Sequence, residues 1–326
     1  MKLYVLCMIL PSVVFAQTPQ GEAYYRQALK RFDSVKTIPP DSIFVPSVID
    51  LDGSAAAHEY LHMETVAAFR WDVGHHPDKD AIQRWVEKDF GMSFDSLQNL
   101  GRQFGDDYLV WLYARHLLSP DIQERYLLHR LDWYAKEDWL PHARRFLSDL
   151  EYYFPQSTHT KDARAKVQAL ESKVEAGKKN THILFRGPVH SLDELIAPYK
   201  GKVVYLDIWG TWCGPCREEM KYAPALKQHI DTAQVVFVYL DMDRDEDDVK
   251  WREYVQLQSV TGEHLRMNKY ALEGIWEALL HTTHVPREYP SFFIFGKDGK
   301  LVQASAKRPS DEEALYRQLK EAVGSK

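Results

Sequence analysis

The chain has 326 residues and three cysteines, which is length enough for two domains of ordinary size. Its composition, 45% hydrophobic and rich in aromatics, is that of a soluble globular protein. The net charge of −6 is modest. No basic patch with interleaved aromatics stands out, which argues against a nucleic-acid partner.

Residues 1–16 read as a secretory signal. Lys2 gives a positive start, and Leu3 to Leu10 is apolar but too short to span a bilayer as a helix. Val14-Phe15-Ala16 offers a cleavage site that leaves Gln17 first. Cys7 departs with that signal, so the mature chain keeps only Cys213 and Cys216. No later stretch reaches transmembrane length, so stable membrane insertion is not expected.

Residues 17–180 form the next segment, and their periodicity predicts an all-α domain of helical hairpins. Apolar residues recur every three to four positions in Ala23–Phe32, Ala55–Phe69, Lys79–Phe90, Asp106–Leu118, Asp121–Lys136, Ala143–Phe154 and Thr160–Ala176. Pro39-Pro40, Gly74, Pro77, Gly101, Gly105, Pro120, Pro141 and Pro155 break them apart. No repeat of fixed period emerges. Within this half, His58-Glu59-Tyr60-Leu61-His62 fits the H-E-x-x-H pattern of zinc proteases. A third ligand is missing at the metzincin spacing, where Ala68 stands, and nothing marks Glu87 as its substitute. An amphipathic helix with surface His and Glu is the simpler reading, and no metal site is expected. His75-His76 beside Pro77 reads as a solvated turn. Asp50-Leu51-Asp52-Gly53 lacks the later ligands of a calcium loop.

Residues 181–326 alternate strand and helix. The predicted order is strand His182–Arg186, helix Leu192–Ala197, strand Val203–Trp209, helix 215–230, strand Val235–Leu240 and helix Asp247–Leu257. A variable segment follows over 258–284, helical from Met267 to Leu280. Strands Ser291–Phe295 and Leu301–Ala304 and helix Asp311–Val323 close the chain. This order implies a mixed sheet flanked by helices. Lys297-Asp298-Gly299-Lys300 signals a hairpin, and Ser310-Asp311-Glu312-Glu313 a capping box for the last helix.

The segment is organised around Trp212-Cys213-Gly214-Pro215-Cys216. Before it, Val203–Trp209 is a near-continuous apolar run, as in a parallel strand buried on both faces. After it, Met220, Ala223, Leu226, Lys227 and Ile230 fall at helical spacing. Cys213 therefore stands near a helix N-terminus, where free N–H groups and the helix dipole favour a thiolate. A zinc site would need four ligands, and no second Cys-x-x-Cys or Cys/His pair follows. A stapling disulfide would rarely span so short a loop. Redox chemistry is the expectation.

Asp207-Ile208-Trp209-Gly210-Thr211-Trp212-Cys213-Gly214-Pro215-Cys216-Arg217-Glu218-Glu219 resembles the active-site segment of thioredoxin-fold proteins, in particular the extracytoplasmic TlpA/ResA-like branch found in Bacteroidetes. Tyr289-Pro290-Ser291-Phe292-Phe293-Ile294-Phe295 is similar to that family's cis-proline strand. The resemblance covers about residues 181–326. It implies an α/β thioredoxin-like C-terminal domain, preceded here by the all-α domain, and thiol:disulfide exchange with no cofactor beyond a Cys213–Cys216 disulfide. Cys213 would be the exposed nucleophile and Cys216 the resolving thiol. Pro290 would be cis, presenting a backbone edge to the substrate, with Tyr289 touching the incoming chain. Trp209 and Trp212 would wall the site. Asp207, desolvated on its strand, suits a proton acceptor for Cys216. Many family members carry their acid on a neighbouring strand, a part open here to Asp241 or Asp243.

Gly214-Pro215 between the cysteines resembles reducing thioredoxins. The span from reducing to strongly oxidising proteins of this fold is about 150 mV, or about 7 kcal/mol. A reductase of protein disulfides in the periplasm is therefore expected. It would be recharged by a membrane electron donor of the DsbD/CcdA type, with apocytochrome c or misbridged exported proteins as substrates. Two rival readings are a helical binding module with an accessory redox sensor, and a zinc hydrolase at His58 and His62.

Overall fold

The computed structural model describes residues 91–105, 120–281 and 286–325, with shorter pieces at 80, 83–84, 87–88, 108–109, 111–112 and 115. The signal at 1–16, the helices at 23–32 and 55–69, Asp50–Gly53, the His58–His62 motif and His75-His76 lie outside the described residues, and the helices at 79–90 and 106–118 lie only partly within them. The chain divides in sequence between Val167 and Gln168 into two compact units.

The first unit is helical. Helix α1 (Phe94–Phe104) was not anticipated; Ser93 caps it, its hydroxyl accepting from the Ser96 N–H at 3.2 Å. Helices α2 (Pro120–Lys136) and α3 (Leu140–Tyr153) are joined by three residues, with Asp138 at φ 61° turning the chain. Helix α3 starts earlier than its periodicity predicts because Pro141 occupies the first turn, where no N–H is required. Many aromatics here are core: Trp111, Tyr126 and Phe146 are fully buried. Trp111 Nε1 donates to the Asp149 carboxylate at 2.8 Å, and Arg145 pairs with the same carboxylate at 2.9 Å. Burial raises the Asp149 pKa, while Arg145 and the Trp111 hydrogen bond oppose that rise.

Helix α4 (Thr160–Lys178) leads into the second unit. At its end, Gly177 lies against the backbone of Gln256. A Cβ there would come 2.1 Å from the Gln256 carbonyl oxygen, so only glycine fits.

The remaining elements are β1 (Ile183–Phe185), α5 (Leu192–Ile196), β2 (Val203–Trp209), α6 (Gly214–Met220), α7 (Ala223–His229), β3 (Val235–Asp241), α8 (Asp248–Leu257), β4 (Gly262–Arg266), α9 (Glu273–His281), β5 (Ser291–Phe295), β6 (Leu301–Gln303) and α10 (Glu313–Gly324). They build one six-stranded mixed sheet in the order β1-β4-β3-β2-β5-β6. β2 pairs in parallel with β3 and antiparallel with β5. The fold is thioredoxin-like.

Three local departures from expectation have physical causes. The single helix expected over 215–230 is two helices, because Pro224 in the first turn of α7 has no N–H to continue the ladder from α6. Strand β4 lies inside the segment read as variable. Its polar residues hid it: Glu263 pairs with Arg186 at 2.5 Å, and His264 stacks on Tyr239 at 4.8 Å. Ser310 does not cap α10. Its N–H and hydroxyl both donate to Glu219, at 2.9 Å each, and Asp311 instead accepts from the Arg308 N–H.

Candidate active site

Side chains of a strand alternate between faces, so β2 sends Val204, Leu206 and Ile208 one way and Tyr205, Asp207 and Trp209 the other. Every residue of β2 is buried. The first set joins an apolar core with Leu195, Trp276 and Phe293. Tyr205 and Trp209 share a second core with Cys213, Cys216 and Met220.

β2 ends at Trp209, and the turn Gly210-Thr211-Trp212 delivers Cys213 to the N-cap of α6. Cys213 and Cys216 are joined by a disulfide, their Cα atoms 5.2 Å apart. The Cys216 N–H donates to Cys213 Sγ at 3.2 Å. A reduced Cys213 at this position would face the positive end of the helix. Cys213 is less open than expected. It is 4% exposed and Cys216 1%, so access to the outer sulfur is narrow.

The turn itself is clamped from below. Asp243 accepts hydrogen bonds from the Thr211 N–H at 3.0 Å and from the Thr211 hydroxyl. A Cβ on Gly210 would lie 2.6 Å from the Trp212 indole nitrogen. Asp241 accepts from the Asp243 N–H at 3.0 Å. Burial pushes both carboxyls up, Asp241 further because Asp243 stands beside it. Asp243 thus holds the turn, and Asp241 supports Asp243.

The Tyr289–Pro290 peptide is cis. Tyr289 packs edge-on between Trp212 and Trp276, with ring centroids 5.7 and 5.8 Å away. Trp212 is 51% exposed. Trp209 is fully buried, in the same core as the two cysteines, and packs against Tyr254 at 5.9 Å.

Asp207 is buried on the dithiol's side of the sheet, and its Oδ1 has no hydrogen-bond partner among the described residues. Burial raises its pKa well above the carboxylate range, and the Glu219 charge raises it further. Lys227 opposes this. The residue as a whole is half-buried, and its amine donates to the Thr261 carbonyl and lies 5.0 Å from the centroids of both Phe237 and Tyr239. Burial lowers the Lys227 pKa to about 7, against the pull of Asp207. Desolvation therefore dominates on both partners, and each is held toward its neutral form.

The chain thus places a disulfide at a helix N-terminus, has a cis proline at Pro290, and carries a buried acid on the strand that leads to the cysteines. The Thioredoxin-like family model matches residues 201–301. ResA thiol-disulfide oxidoreductases from Bacillus thuringiensis subsp. konkukian and Bacillus cereus are each 30% identical over 150 residues, covering 46% of this chain and 80% of the relative. This chain belongs to the ResA family of thiol-disulfide oxidoreductases. A solution structure described as a thiol-disulfide oxidoreductase from Bacteroides vulgatus is 30% identical, covering 40% of this chain and 78% of that one, with a TM-score of 0.32.

As a ResA-type enzyme, the chain carries two site groups that the sequence reading passed over. Glu219 lies one turn past Cys216 on α6, buried and held by Ser310. Lys227 lies on α7. A lysine within the stripe Met220, Ala223, Leu226 and Ile230 was the available signal, since a cation in an apolar stripe needs a partner. Among the described residues, no group of three His, Cys, Asp or Glu is placed to hold a metal, and no helix is long and apolar enough to cross a membrane.

Proposed function

We propose that this enzyme reduces disulfides of exported proteins. The placement of Cys213 at the N-cap of α6, with its partner one turn inward, carries the reading. In the reduced enzyme the Cys213 thiolate attacks one sulfur of a partner disulfide. A mixed disulfide forms, and the partner's other sulfur leaves as a thiolate. In its ionised form Asp207 takes the proton of Cys216, whose thiolate then attacks Cys213 Sγ, and the raised pKa of Asp207 makes this step pH-dependent. The partner's second thiol is released, two electrons have passed to it, and the Cys213–Cys216 disulfide is formed.

Pro290 offers its backbone edge to the partner chain, and Tyr289 and Trp212 touch that chain. Gly214 and Pro215 set the poise toward reduction. The dithiol is recharged by a membrane donor of the DsbD/CcdA type, after export by the signal at residues 1–16. Oxidised cysteine pairs, as in apocytochrome c or misbridged periplasmic proteins, are the substrate class. The helical half, drawn at 17–180, selects or orients the partner.

Insulin disulfide reduction tests the activity, with Cys213→Ser as the inactive control. The direction is tested by the reduction potential. A value near about −270 mV supports a reductase, and one near about −120 mV overturns that direction.

A further inference from the structure

A groove of about 610 Å³ opens at Trp212, the residue before Cys213, within the roughly 300–1,000 Å³ of sites that enclose drug-sized ligands. Trp212 forms one wall and Tyr270 is on the lining beyond it, with Met242 also exposed to the groove. Trp212 is 51% and Tyr270 79% exposed. Single exposed aromatics are ordinary. Two that line one groove, one of them adjacent in sequence to the reacting sulfur, are a different matter.

The segment carrying Tyr270 is ordered in advance. The N–H groups of Tyr270 and Ala271 both donate to Asn268 Oδ1 at 3.1 Å, and Asn268 Nδ2 donates to Asp245 at 3.0 Å. A wall already held in place costs less entropy on binding. The carboxylates of the rim are paired with arginines. Arg244 pairs with Asp247 at 3.0 Å and with Glu246 at 3.4 Å, and Asp245 pairs with Arg266 at 2.9 Å. Lys269 lies over the Tyr270 ring, 4.9 Å from its centroid. What the groove offers a visitor is therefore aromatic and apolar surface more than net charge.

Resting on the reductase reading, we propose that this groove seats the extended segment of the substrate protein that flanks its reacting cysteine, with an apolar side chain of that segment held between Trp212 and Tyr270. Attack at Cys213 brings a partner sulfur to the narrow opening beside Trp212, so the chain attached to that sulfur must run over or along this residue. The groove continues from it. Tyr270 is then a specificity-determining residue. The preference it creates is for an aromatic or aliphatic residue near the substrate cysteine, and it is weakly dependent on salt.

The test uses the full reduced chain and three substrates. Two are synthetic peptides carrying a cysteine–glutathione mixed disulfide, identical except for Phe or Ser three residues from the cysteine. The third is oxidised glutathione, as an internal reference. The expected result is a kcat/KM about tenfold higher for the Phe peptide than for the Ser peptide. In Tyr270→Ala this preference falls to about one through KM, relative to oxidised glutathione, and Tyr270→Phe retains it. An undiminished preference in Tyr270→Ala, or none in the unaltered protein, overturns the proposal while leaving the reductase reading intact. Failure to reduce any of the three substrates sinks the reductase reading itself. A shift from dimer to monomer on Tyr270→Ala, seen by sedimentation, would give the groove to a second copy of the chain and also overturn the proposal.

Discussion

The two sides of strand β2 are equally buried but differ in kind. On one, Val204, Leu206 and Ile208 pack among other apolar groups. On the other, Tyr205 and Trp209 bracket Asp207, whose surroundings include Glu219, Lys227 and the dithiol core. Apolar burial on the first side stabilises without further conditions. Burial on the second is conditional on proton occupancy, because a charge in that setting is costly. The sheet thus separates support from chemistry across the thickness of a single strand.

Substitutions on the two sides of β2 put this contrast to the test. The largest effect is expected from Cys213→Ser, which should abolish disulfide reduction, a loss of more than about a thousandfold in an insulin assay, with stability little changed. Leu206→Ala, on the supporting side, should cost about 2–5 kcal/mol in denaturant unfolding. Activity per folded molecule should stay near that of the parent. A large drop in turnover without a drop in stability would contradict the division of labour.

Asp207→Asn should do the reverse. Turnover should fall by about 10–100-fold, and the limb of the pH–rate profile set by this carboxyl should vanish. Its stability effect has a defined sign. Because the folded pKa is raised, the native state holds a proton that the unfolded chain has lost, and the parent loses stability as pH climbs from the unfolded value of 3.8 through the folded one. The variant escapes that loss, so its advantage should grow as pH rises.

Lys227→Met, the mildest change, should show the opposite slope. The folded pKa of about 7 lies below the unfolded 10.5, so the buried cation burdens the parent most below pH 7. The gain from Met should be greatest there and shrink toward pH 10.5. Melting curves across pH for the two variants should therefore diverge in opposite directions. Parallel curves would refute the assignment of both shifts to burial.

Much of the C-terminal half was legible because its signals are local. Val203–Trp209 reads as a buried strand from composition alone, and its observed bounds are the same. Cys213 at a helix start follows from the glycine, proline and strand around it. Features set by long-range pairing were harder to read. β4 consists of residues whose polarity is tolerated only because Arg186 and Tyr239 meet them from distant parts of the chain. Ser310 has the spacing of a cap but is drawn to a carboxylate 91 positions away. Glu219 and Lys227 were visible as residue types but not as partners of Asp207, since that depends on how α6 and α7 lie on the sheet.

The close passage of Gly177 over Gln256 bears on how the redox half should be excised. A fragment begun at residue 181 would shed the last turn of the preceding helix and leave the end of α8 uncovered where that turn had shielded it. Starting upstream of residue 168 keeps this lid in place, so the shorter version should melt earlier even though every atom of the dithiol centre is present.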